Sequence, residues 1–324
     1  AYDSVLTLET QVRFGSLVRG IHYWSANLLV VVVLLHTVRV FLTGGFRGPR
    51  QFNWVLGSVL LLCVLASAFT GYLLPWDQLS YWAVTISTAM LEYVPWLGAA
   101  LQRVVRGGAA VGGETLTTFY TLHTTIVPVG LIVFMAWHFW RVRRAGGVIV
   151  PPPAGEPDAA AEADGPPEKV TFLPHLLQRE VSQALMLAAL VFVLAAAFGA
   201  PLGERANPGM SPNPAKAPWY FVGFQELLIH LHPAFAVLVV PLLGGIAFLL
   251  LPYLSGREEG SGVWFLSPAG RKSSLLAALI ALVMVPLLVL LDEMRTAGTA
   301  GWLTGGLLPL AGLLAFVVVF AAWI

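Results

Sequence analysis

Four histidines occur in two pairs whose spacing suits metal ligation within a helical protein. His36 follows His22 by 14 positions, and His138 follows His123 by 15. At 100° per residue, 14 steps along an α-helix end about 40° short of whole turns and 15 steps about 60° past them. Each pair therefore shares a helix face, with about 21–22 Å between its members along the axis. Two such helices side by side predict bis-histidine ligation of two stacked haems.

Two glycines in a third apolar segment repeat this spacing, since Gly71 also follows Gly57 by 14 positions. Glycine has no Cβ, so a flat macrocycle could approach the backbone closely there. Tight helix packing is the alternative for these glycines, and a hydrogen-bonded helix contact or a proton relay is the alternative for the histidines. Because the glycines share the 14-residue spacing of His22 and His36, we favour the interpretation that they leave room for haem.

The elements that must carry these residues are membrane-spanning helices. The 324 residues are 57% hydrophobic and 11% charged, whereas soluble domains carry roughly 25% charged residues. This composition excludes a water-soluble enzyme. A spanning helix needs about 20 mostly apolar residues, and we expect an all-α, polytopic transmembrane helix bundle with haems within a four-helix core. The seven predicted spanning helices lie at residues 24–42, 54–74, 119–140, 181–199, 234–254, 274–291 and 302–323.

The distribution of charge predicts the orientation of the bundle, and the cysteine content excludes several kinds of site. Eleven of the 18 basic residues fall in segments 39–50, 141–180 and 255–273. An excess of Arg and Lys marks the inside face, so we expect the chain start outside. The formal net charge of +1 gives no reason to expect nucleic acid as a partner. The single cysteine, Cys63, excludes a disulfide scaffold, a cysteine zinc site and covalent haem attachment through paired cysteines.

Composition also divides the chain into three parts. Residues 145–169 are rich in Pro, Gly, Ala and acidic residues without an apolar period, and they predict an inside linker. It separates a dihaem-binding part at 1–144, which contains the four paired histidines, from a C-terminal part at 170–324. The outside segments 75–115 and 200–233 are long connections, which are often functional.

Three segments resemble cytochrome b of the bc1/b6f class: RGIHYWSANLLVVVVLLHTVRVFLTGGFRGPR, TGYLLPWDQLSYWA and GGETLTTFYTLHTTIVP. Residues 170–291 resemble the three-helix partner subunit of the b6f type, here fused to the first part and followed by the helix at 302–323. Such a fusion looks bacterial. The family's helix before the first histidine helix has no counterpart here, and we expect it on another chain or in residues that precede this sequence. In b6f-type relatives that helix attaches a third haem. The sequence therefore makes no prediction about a third haem.

The resemblance implies two non-covalent b-type haems. It assigns His22 and His123 to an outer haem of low potential, and His36 and His138 to an inner haem of high potential. It also implies oxidation of quinol near the outer face, with one electron passing to a Rieske iron–sulfur protein and on to a c-type cytochrome. The other electron crosses the membrane to a quinone near the inner face, which builds a proton gradient.

The outer quinol site is expected between residues 75–93 and 217–226. Both segments are aromatic-rich, and the implied site residues are Tyr81, Trp219 and Tyr220. The family's signature there is Pro-Glu-Trp-Tyr, whose glutamate accepts a proton, but this chain has proline at that place, Pro218. Glu226 is the nearest carboxylate and takes the predicted role, with three further candidates behind it: His230, His232 and Asp77.

Two further sets of charged residues follow from the resemblance. Arg19 and Arg39 match residues that pair with haem propionates, and a guanidinium forms bidentate bonds to a carboxylate; Arg39 could instead be an inside-facing topogenic charge. Arg179 and Glu180 stand where relatives place a pair that handles quinone protons, although they could equally be cap and topology charges. His175 is expected to join that inner site.

The sequence therefore predicts a catalytic cytochrome b subunit of a quinol–cytochrome c reductase, dimeric as a complex, in the bacterial cytoplasmic membrane. Its expected partners are the Rieske protein, a c-type cytochrome, the quinone pool and the lipid bilayer. Two alternatives remain at this point. One is the dihaem anchor of another respiratory oxidoreductase, such as a hydrogenase or formate dehydrogenase, and the other is a haem-free transporter.

Overall fold

Helices make up the regular structure of the chain. The computed structural model describes residues 1–149, 171–212, 215–254, 265 and 268–296. Within these ranges the only β-type pairing is an isolated bridge between Asp77 and Arg205. The predicted all-α class is confirmed.

The helices fall on either side of the predicted linker, of which residues 150–169 lie outside the described ranges. The first part contains α1 (Tyr2–Thr10), α2 (Gly15–Leu42), α3 (Gln51–Leu73), α4 (Gln78–Ala89), α5 (Gly98–Arg106), α6 (Gly113–Thr121) and α7 (Val127–Arg144). The second part contains α8 (Leu177–Ala197), α9 (Val222–His230), α10 (Val240–Leu254) and α11 (Pro268–Thr296). Wider π-helical turns lead directly into α7 and α10, at Leu122–Ile126 and Phe235–Val239. The segment Phe172–Leu176 before α8 is kinked, because the backbone of Leu173 is extended.

Within the part of the chain that the structure describes, five helical stretches are long and apolar enough to cross a membrane: Gly15–Leu42, Gly48–Leu73, Gly113–Arg144, Phe172–Ala197 and Phe235–Leu254. They confirm five of the seven predicted windows. The window 274–291 falls within the 29-residue helix α11, and the window 302–323 lies outside the described residues. Large apolar side chains face outward along these stretches, as expected of helices that are surrounded by lipid. The chain is an integral membrane protein.

Short helices occupy the two segments that were expected to be long connections. Helices α4 and α5 lie within residues 75–115, and α9 lies within 200–233. At 9 to 12 residues each, they are too short to span a bilayer, so a search by apolar run length does not detect them. Asp77 starts α4 by accepting a 2.9 Å hydrogen bond from the Ser80 amide, and Gly107, at φ 72°, ends α5 in the left-handed conformation.

Helix α3 lies at the centre of the bundle. It packs against α2, α6, α7 and α10, and α2 in turn packs against α8. The contact between α2 and α8 is close because Gly20 lies against Ala195, whose carbonyl oxygen would be 3.2 Å from a Cβ at position 20. Helices α2 and α7, both described in full, make little direct contact with each other. The two histidine-bearing helices are therefore held by α3 with space between them.

Candidate haem and quinol sites

The outer histidine pair brings two imidazoles close together across that space. His22 lies on α2 and His123 in the π-helical turn before α7, and their ring centres are 6.0 Å apart with planes at 84°. A bond from a metal ion to an imidazole nitrogen is about 2 Å long. Two such bonds, plus the distance from each ring centre to its nitrogen, give a separation of ring centres close to the observed 6.0 Å. The pair fits a single metal ion held between the rings, as in bis-histidine haem.

The second nitrogen of His123 is already engaged. Its Nδ1 lies 3.0 Å from the carbonyl oxygen of Ser67 and 3.2 Å from the hydroxyl of Thr70, both on α3. Metal-ligating histidines characteristically use their other ring nitrogen in this way, which orients the ring. The sequence analysis missed Ser67 and Thr70, since only the packing of α3 against the π-helical turn identifies them.

The inner histidine pair lines a cavity of about 340 Å³. His36 and His138 enter it from α2 and α7, and Arg39 and Arg50 lie along the same cavity. Its remaining walls are largely apolar, and they include Leu29, Val33, Leu60, Val64, Leu131 and Met135. An apolar cavity with two imidazoles and two guanidinium groups fits a flat macrocycle that carries carboxylates.

Two buried polar atoms in this cavity also have no hydrogen-bond partner. They are Nδ1 of His138 and Oδ1 of Asn53. Buried polar groups are normally paired, so these two atoms are available to a polar group bound in the cavity. The inner residues therefore also fit a haem, and Asn53 and Arg50 join the set that the sequence had indicated.

The π-helical turn explains why the two histidine spacings differ by one residue. A π-helical turn holds one residue more than an α-helical turn. His123 is the second residue of the turn at Leu122–Ile126, so most of this turn lies between His123 and His138. The wider turn accommodates the additional residue of the 15-residue spacing. The two histidines of each pair are therefore related by nearly the same rotation about the helix axis. Pro128 is the sequence signal for this turn, because a proline lacks the N–H that would bond the carbonyl four residues earlier.

The two glycines lie against the histidine rings themselves. A Cβ at Gly71 would come 2.5 Å from Cε1 of His123, and a Cβ at Gly57 would come 3.5 Å from Cε1 of His138. In the structure each glycine makes room for an imidazole, and the clearance for the macrocycle stays a prediction. Helix α3 can approach the ligand rings closely because these positions lack side chains.

The arginines predicted to bind propionates have protein partners. Arg19 pairs with Glu9 and donates to the Ala200 carbonyl at 3.0 Å, so it joins α1 and α2 to the segment that follows α8. Arg39 donates to the Ile149 carbonyl at 2.6 Å, and Arg50 donates to the Gly147 carbonyl at 2.7 Å. The two inner arginines thus hold the chain that follows α7 over the inner cavity.

A second cavity, of about 280 Å³, lies where the outer quinol site was predicted. Segment 75–93 contributes Leu79, Ala83, Ile86, Ser87 and Met90 to its lining, and segment 217–226 contributes Ala217, Pro218, Phe221, Phe224 and Gln225. Phe69 of α3 completes the wall, with its ring 5.7 Å from that of Phe221. No carboxylate occurs among the described lining residues.

The residues predicted for quinol chemistry lie next to this cavity and do not line it. Trp219 donates from Nε1 to the Asn27 side chain on α2 at 2.8 Å, and Tyr81 packs its ring against Trp76 at 5.7 Å. Burial, with the neighbouring Tyr23 as a second cause, raises the pKa of Tyr220 to about 12. The phenol of Tyr220 therefore stays neutral at physiological pH.

Glu226 occupies the face of α9 next to the cavity. Its carboxylate is 3.6 Å from Nε2 of His230 and the side chain is about half exposed. Successive helical residues point about 100° apart, so Gln225 faces the cavity in its place. Gln225 accepts from the Ala217 amide at 2.8 Å and donates to the Ala215 carbonyl at 2.6 Å. It thereby fixes the cavity wall that contains Pro218, a role the sequence analysis missed.

The residues predicted for the inner quinone site are exposed at the start of α8. Arg179 and Glu180 lie in its first turn, and His175 lies in the kinked segment before it. None of the three lines the inner cavity. The structure therefore leaves their role in quinone binding as a prediction.

Comparison with known proteins agrees with this architecture. A family profile described as Cytochrome b/b6/petB matches residues 1–146. The chain is 49% identical over 146 residues to cytochrome b6 of Auxenochlorella protothecoides, an alignment covering 45% of this chain and 68% of that protein. Cytochrome b6 of Synechococcus sp. (strain JA-3-3Ab) gives the same identity and coverage. Among solved structures, a chain of a "Hyperthermophilic respiratory Complex III" is similar with a TM-score of 0.73 and 25% identity, over 100% of this chain and 81% of that one.

The fold and the two histidine pairs define a polytopic helical membrane protein that presents pairs of imidazoles between its helices. The similarity to the relatives identifies the family. The chain belongs to the cytochrome b family, the haem-binding oxidoreductase subunits of quinol:cytochrome c reductases.

Proposed function

We propose that this chain binds two b-type haems, an outer one between His22 and His123 and an inner one between His36 and His138. The observation that carries the proposal is that α2 and the helix at Gly113–Arg144 present matched imidazole pairs across one gap. When bound, the haems supply one-electron redox chemistry at two depths of the membrane. The protein's own contribution is to hold ligands, propionates and quinones in place.

The inner arginines have a defined part in this proposal. Arg39 and Arg50 lie along the inner cavity beside the imidazoles, and their guanidinium groups neutralise the propionates of the inner haem. Arg19 remains the candidate for the outer propionates, next to its pairing with Glu9.

The outer cavity is the proposed quinol-oxidising site. Its aromatic and aliphatic walls suit a quinone ring, and Gln225 holds the Ala215–Pro218 wall in position. Pro218 offers no proton acceptor, so released protons move to the pair formed by Glu226 and His230, which is one helix position away and open to solvent. Trp219 and Tyr220 support this wall, and Tyr81 supports the opposite one.

The reaction on the inner side is reduction of quinone near the start of α8. Arg179, Glu180 and His175 are exposed there and provide a cation and two proton-exchanging groups. Proton uptake inside combined with release outside builds a proton gradient. This assignment places the chain start outside and the linker inside, in a bacterial cytoplasmic membrane.

The proposed setting is a multi-subunit respiratory complex. A Rieske iron–sulfur protein and a c-type cytochrome accept electrons from the outer site, and the complex is a dimer. The similarity to a chain of a respiratory complex III supports this setting. Mass spectrometry of the subunits that co-purify from native membranes tests it: we expect an iron–sulfur subunit and a c-type cytochrome, and the absence of both contradicts the proposal.

Histidine substitution tests the haem assignment. His36→Asn or His138→Asn should reduce the haem content from two to one per chain and stall quinol oxidation after a single turnover. His22→Asn or His123→Asn should remove the other haem. Reduced-minus-oxidised optical spectra of the purified complex measure both, with His175→Asn as a control that retains two haems. Two haems with unchanged spectra after any of the four ligand substitutions would show that the pairing is wrong.

A further inference from the structure

Two acceptor atoms on α3 determine which nitrogen of His123 carries the hydrogen. The Ser67 carbonyl oxygen, 3.0 Å from Nδ1, can only accept. The Thr70 hydroxyl has one proton, and it donates that proton to a carbonyl of its own helix, Ala66 at 2.7 Å or Ser67 at 3.1 Å. Toward Nδ1, at 3.2 Å, the hydroxyl therefore presents a lone pair. With two acceptors facing it, Nδ1 of His123 must be the protonated nitrogen.

The unprotonated Nε2 of His123 is then left for the metal. The ring faces His22 at 6.0 Å, so this tautomer is the one that can ligate an iron between the two rings. A hydrogen bond from Nδ1–H to a good acceptor also makes the imidazole a more basic ligand. A more basic ligand stabilises the more highly charged, oxidised iron, which lowers the reduction potential of the site.

The inner site repeats the backbone acceptor but lacks the hydroxyl. The residue of α3 that lies 14 positions before Thr70 is Leu56, an apolar side chain that is 3% exposed. The residue 14 positions before Ser67 is Asn53, and its backbone makes a weaker contact with His138 than an ordinary hydrogen bond. The two sites also repeat each other in the glycines, Gly57 and Gly71, that admit the rings. They differ in the hydroxyl that Thr70 adds at the outer site.

We infer that Thr70, together with the Ser67 carbonyl, is a positioning residue that fixes the His123 tautomer and holds the outer haem at a lower potential than the inner one. The inference rests on the proposed binding of a haem between His22 and His123. A lower potential outside drives electrons inward, in the direction that quinol oxidation at the outer cavity requires.

The test compares Thr70→Ser with Thr70→Ala in the complete membrane complex, by redox titration of the optical spectrum. Thr70→Ser keeps the oxygen and should keep the outer midpoint potential. Thr70→Ala removes the oxygen and should favour reduction of the outer haem by at least about tenfold, which is a rise of about 59 mV for a one-electron couple. The inner midpoint should not move. Ser58→Ala is the matched control, because it removes from α3 another hydroxyl that bonds a carbonyl four residues back, at 2.8 Å.

Each outcome decides the inference. Loss of the outer haem in Thr70→Ala but not in Thr70→Ser supports the positioning role. A smaller shift in Thr70→Ala with both haems bound overturns the inference, and so does loss of the outer haem in both variants, since the serine retains the acceptor. Absence of haem from the unaltered complex would instead overturn the proposed function on which the inference rests.

Discussion

His123 and His138 show how one residue type acquires two environments on a single helix. His123 has two oxygen acceptors at Nδ1, whereas His138 has only a weaker contact with the Asn53 backbone. The difference arises on the neighbouring helix α3, where Thr70 stands near the outer ring and Leu56 takes the equivalent place 14 positions earlier, at the inner site. At the scale of single residues, both sites use histidine ligands. They differ in the groups that contact the other ring nitrogen of each histidine.

The glycines beside the rings should be unequally sensitive to substitution. A Cβ at Gly71 would approach His123 to 2.5 Å, which forces the ring to shift, whereas a Cβ at Gly57 would meet His138 at an ordinary 3.5 Å. Overpacking of this kind costs about 1–3 kcal/mol. We expect Gly71→Ala to lose outer haem and thermal stability, and Gly57→Ala to retain both haems. Haem content per chain and thermal unfolding measure the effect, and equal sensitivity of the two positions would contradict this explanation.

Proton release should depend on Glu226. Removing its carboxylate with Glu226→Gln should lower quinol oxidation by at least about tenfold, because general base catalysis usually contributes more than this. Haem content should stay normal. Stopped-flow quinol oxidation measures the rate, and reduced-minus-oxidised optical spectra measure the haem content.

Two further variants make this test specific. Pro218→Glu in the Glu226→Gln background places a carboxylate on the cavity wall and should restore part of the rate. Glu204→Gln removes a different outer carboxylate and should leave the rate unchanged. If Glu226→Gln turns over like the unaltered protein, the acceptor is another group, and His230 or Asp77 becomes the next candidate.

At the scale of elements, the π-helical turns before α7 and α10 both lie beside prolines. Pro128 follows the turn at Leu122–Ile126, and Pro233 and Pro241 flank the turn at Phe235–Val239. The missing N–H of each proline frees a carbonyl and favours a wider turn. In the first case the wider turn also brings His123 into register with His138.

Deleting one residue from that turn should preserve both haems. With Thr125 deleted and Pro128→Ala, an uninterrupted α-helix would give the two histidines the same spacing that His22 and His36 have on α2. Inserting an alanine after Thr125 should instead rotate His138 by about 100° and remove one haem. Haem content per chain measures both variants. Loss of haem in the deletion variant to the same extent as in the insertion variant would refute the register argument.

At the scale of the whole molecule, hydrogen bonds and close contacts join the two parts across the bundle. Trp54 donates to the Phe248 carbonyl at 2.8 Å, and Gln51 donates to the Pro252 carbonyl at 3.0 Å. On the opposite side of the bundle, Asp77 accepts from the Gly203 amide at 2.9 Å. These contacts, together with the packing of α2 on α8, do not depend on a continuous linker.

Cleavage of the linker should therefore leave the protein assembled. A protease site placed within residues 150–169 and cut after purification should yield two fragments that migrate together, with unchanged haem spectra. Size-exclusion chromatography of the cut and uncut complex in the same detergent measures this. Separation of the fragments would mean that the linker, and not the contacts between helices, holds the two parts together.

The sequence by itself determined the features that depend on local periodicity and run length. The apolar runs identified five spanning helices, because about 20 apolar residues are needed to cross the bilayer whatever the fold. The spacing of His22 and His36 placed both on one face of α2, because helical geometry is the same in every protein. The outer cavity also lies between the segments that the sequence named.

Only the tertiary structure decided which atoms meet across helices. The glycines face imidazole rings, Gln225 rather than Glu226 faces the outer cavity, and Thr70 reaches His123. Each of these contacts joins residues whose relative rotation and height depend on how two elements pack. Sequence periodicity shows which residues share one face of a helix. The packing of helices decides what that face contacts, and here the packing of α3 against its neighbours decided it.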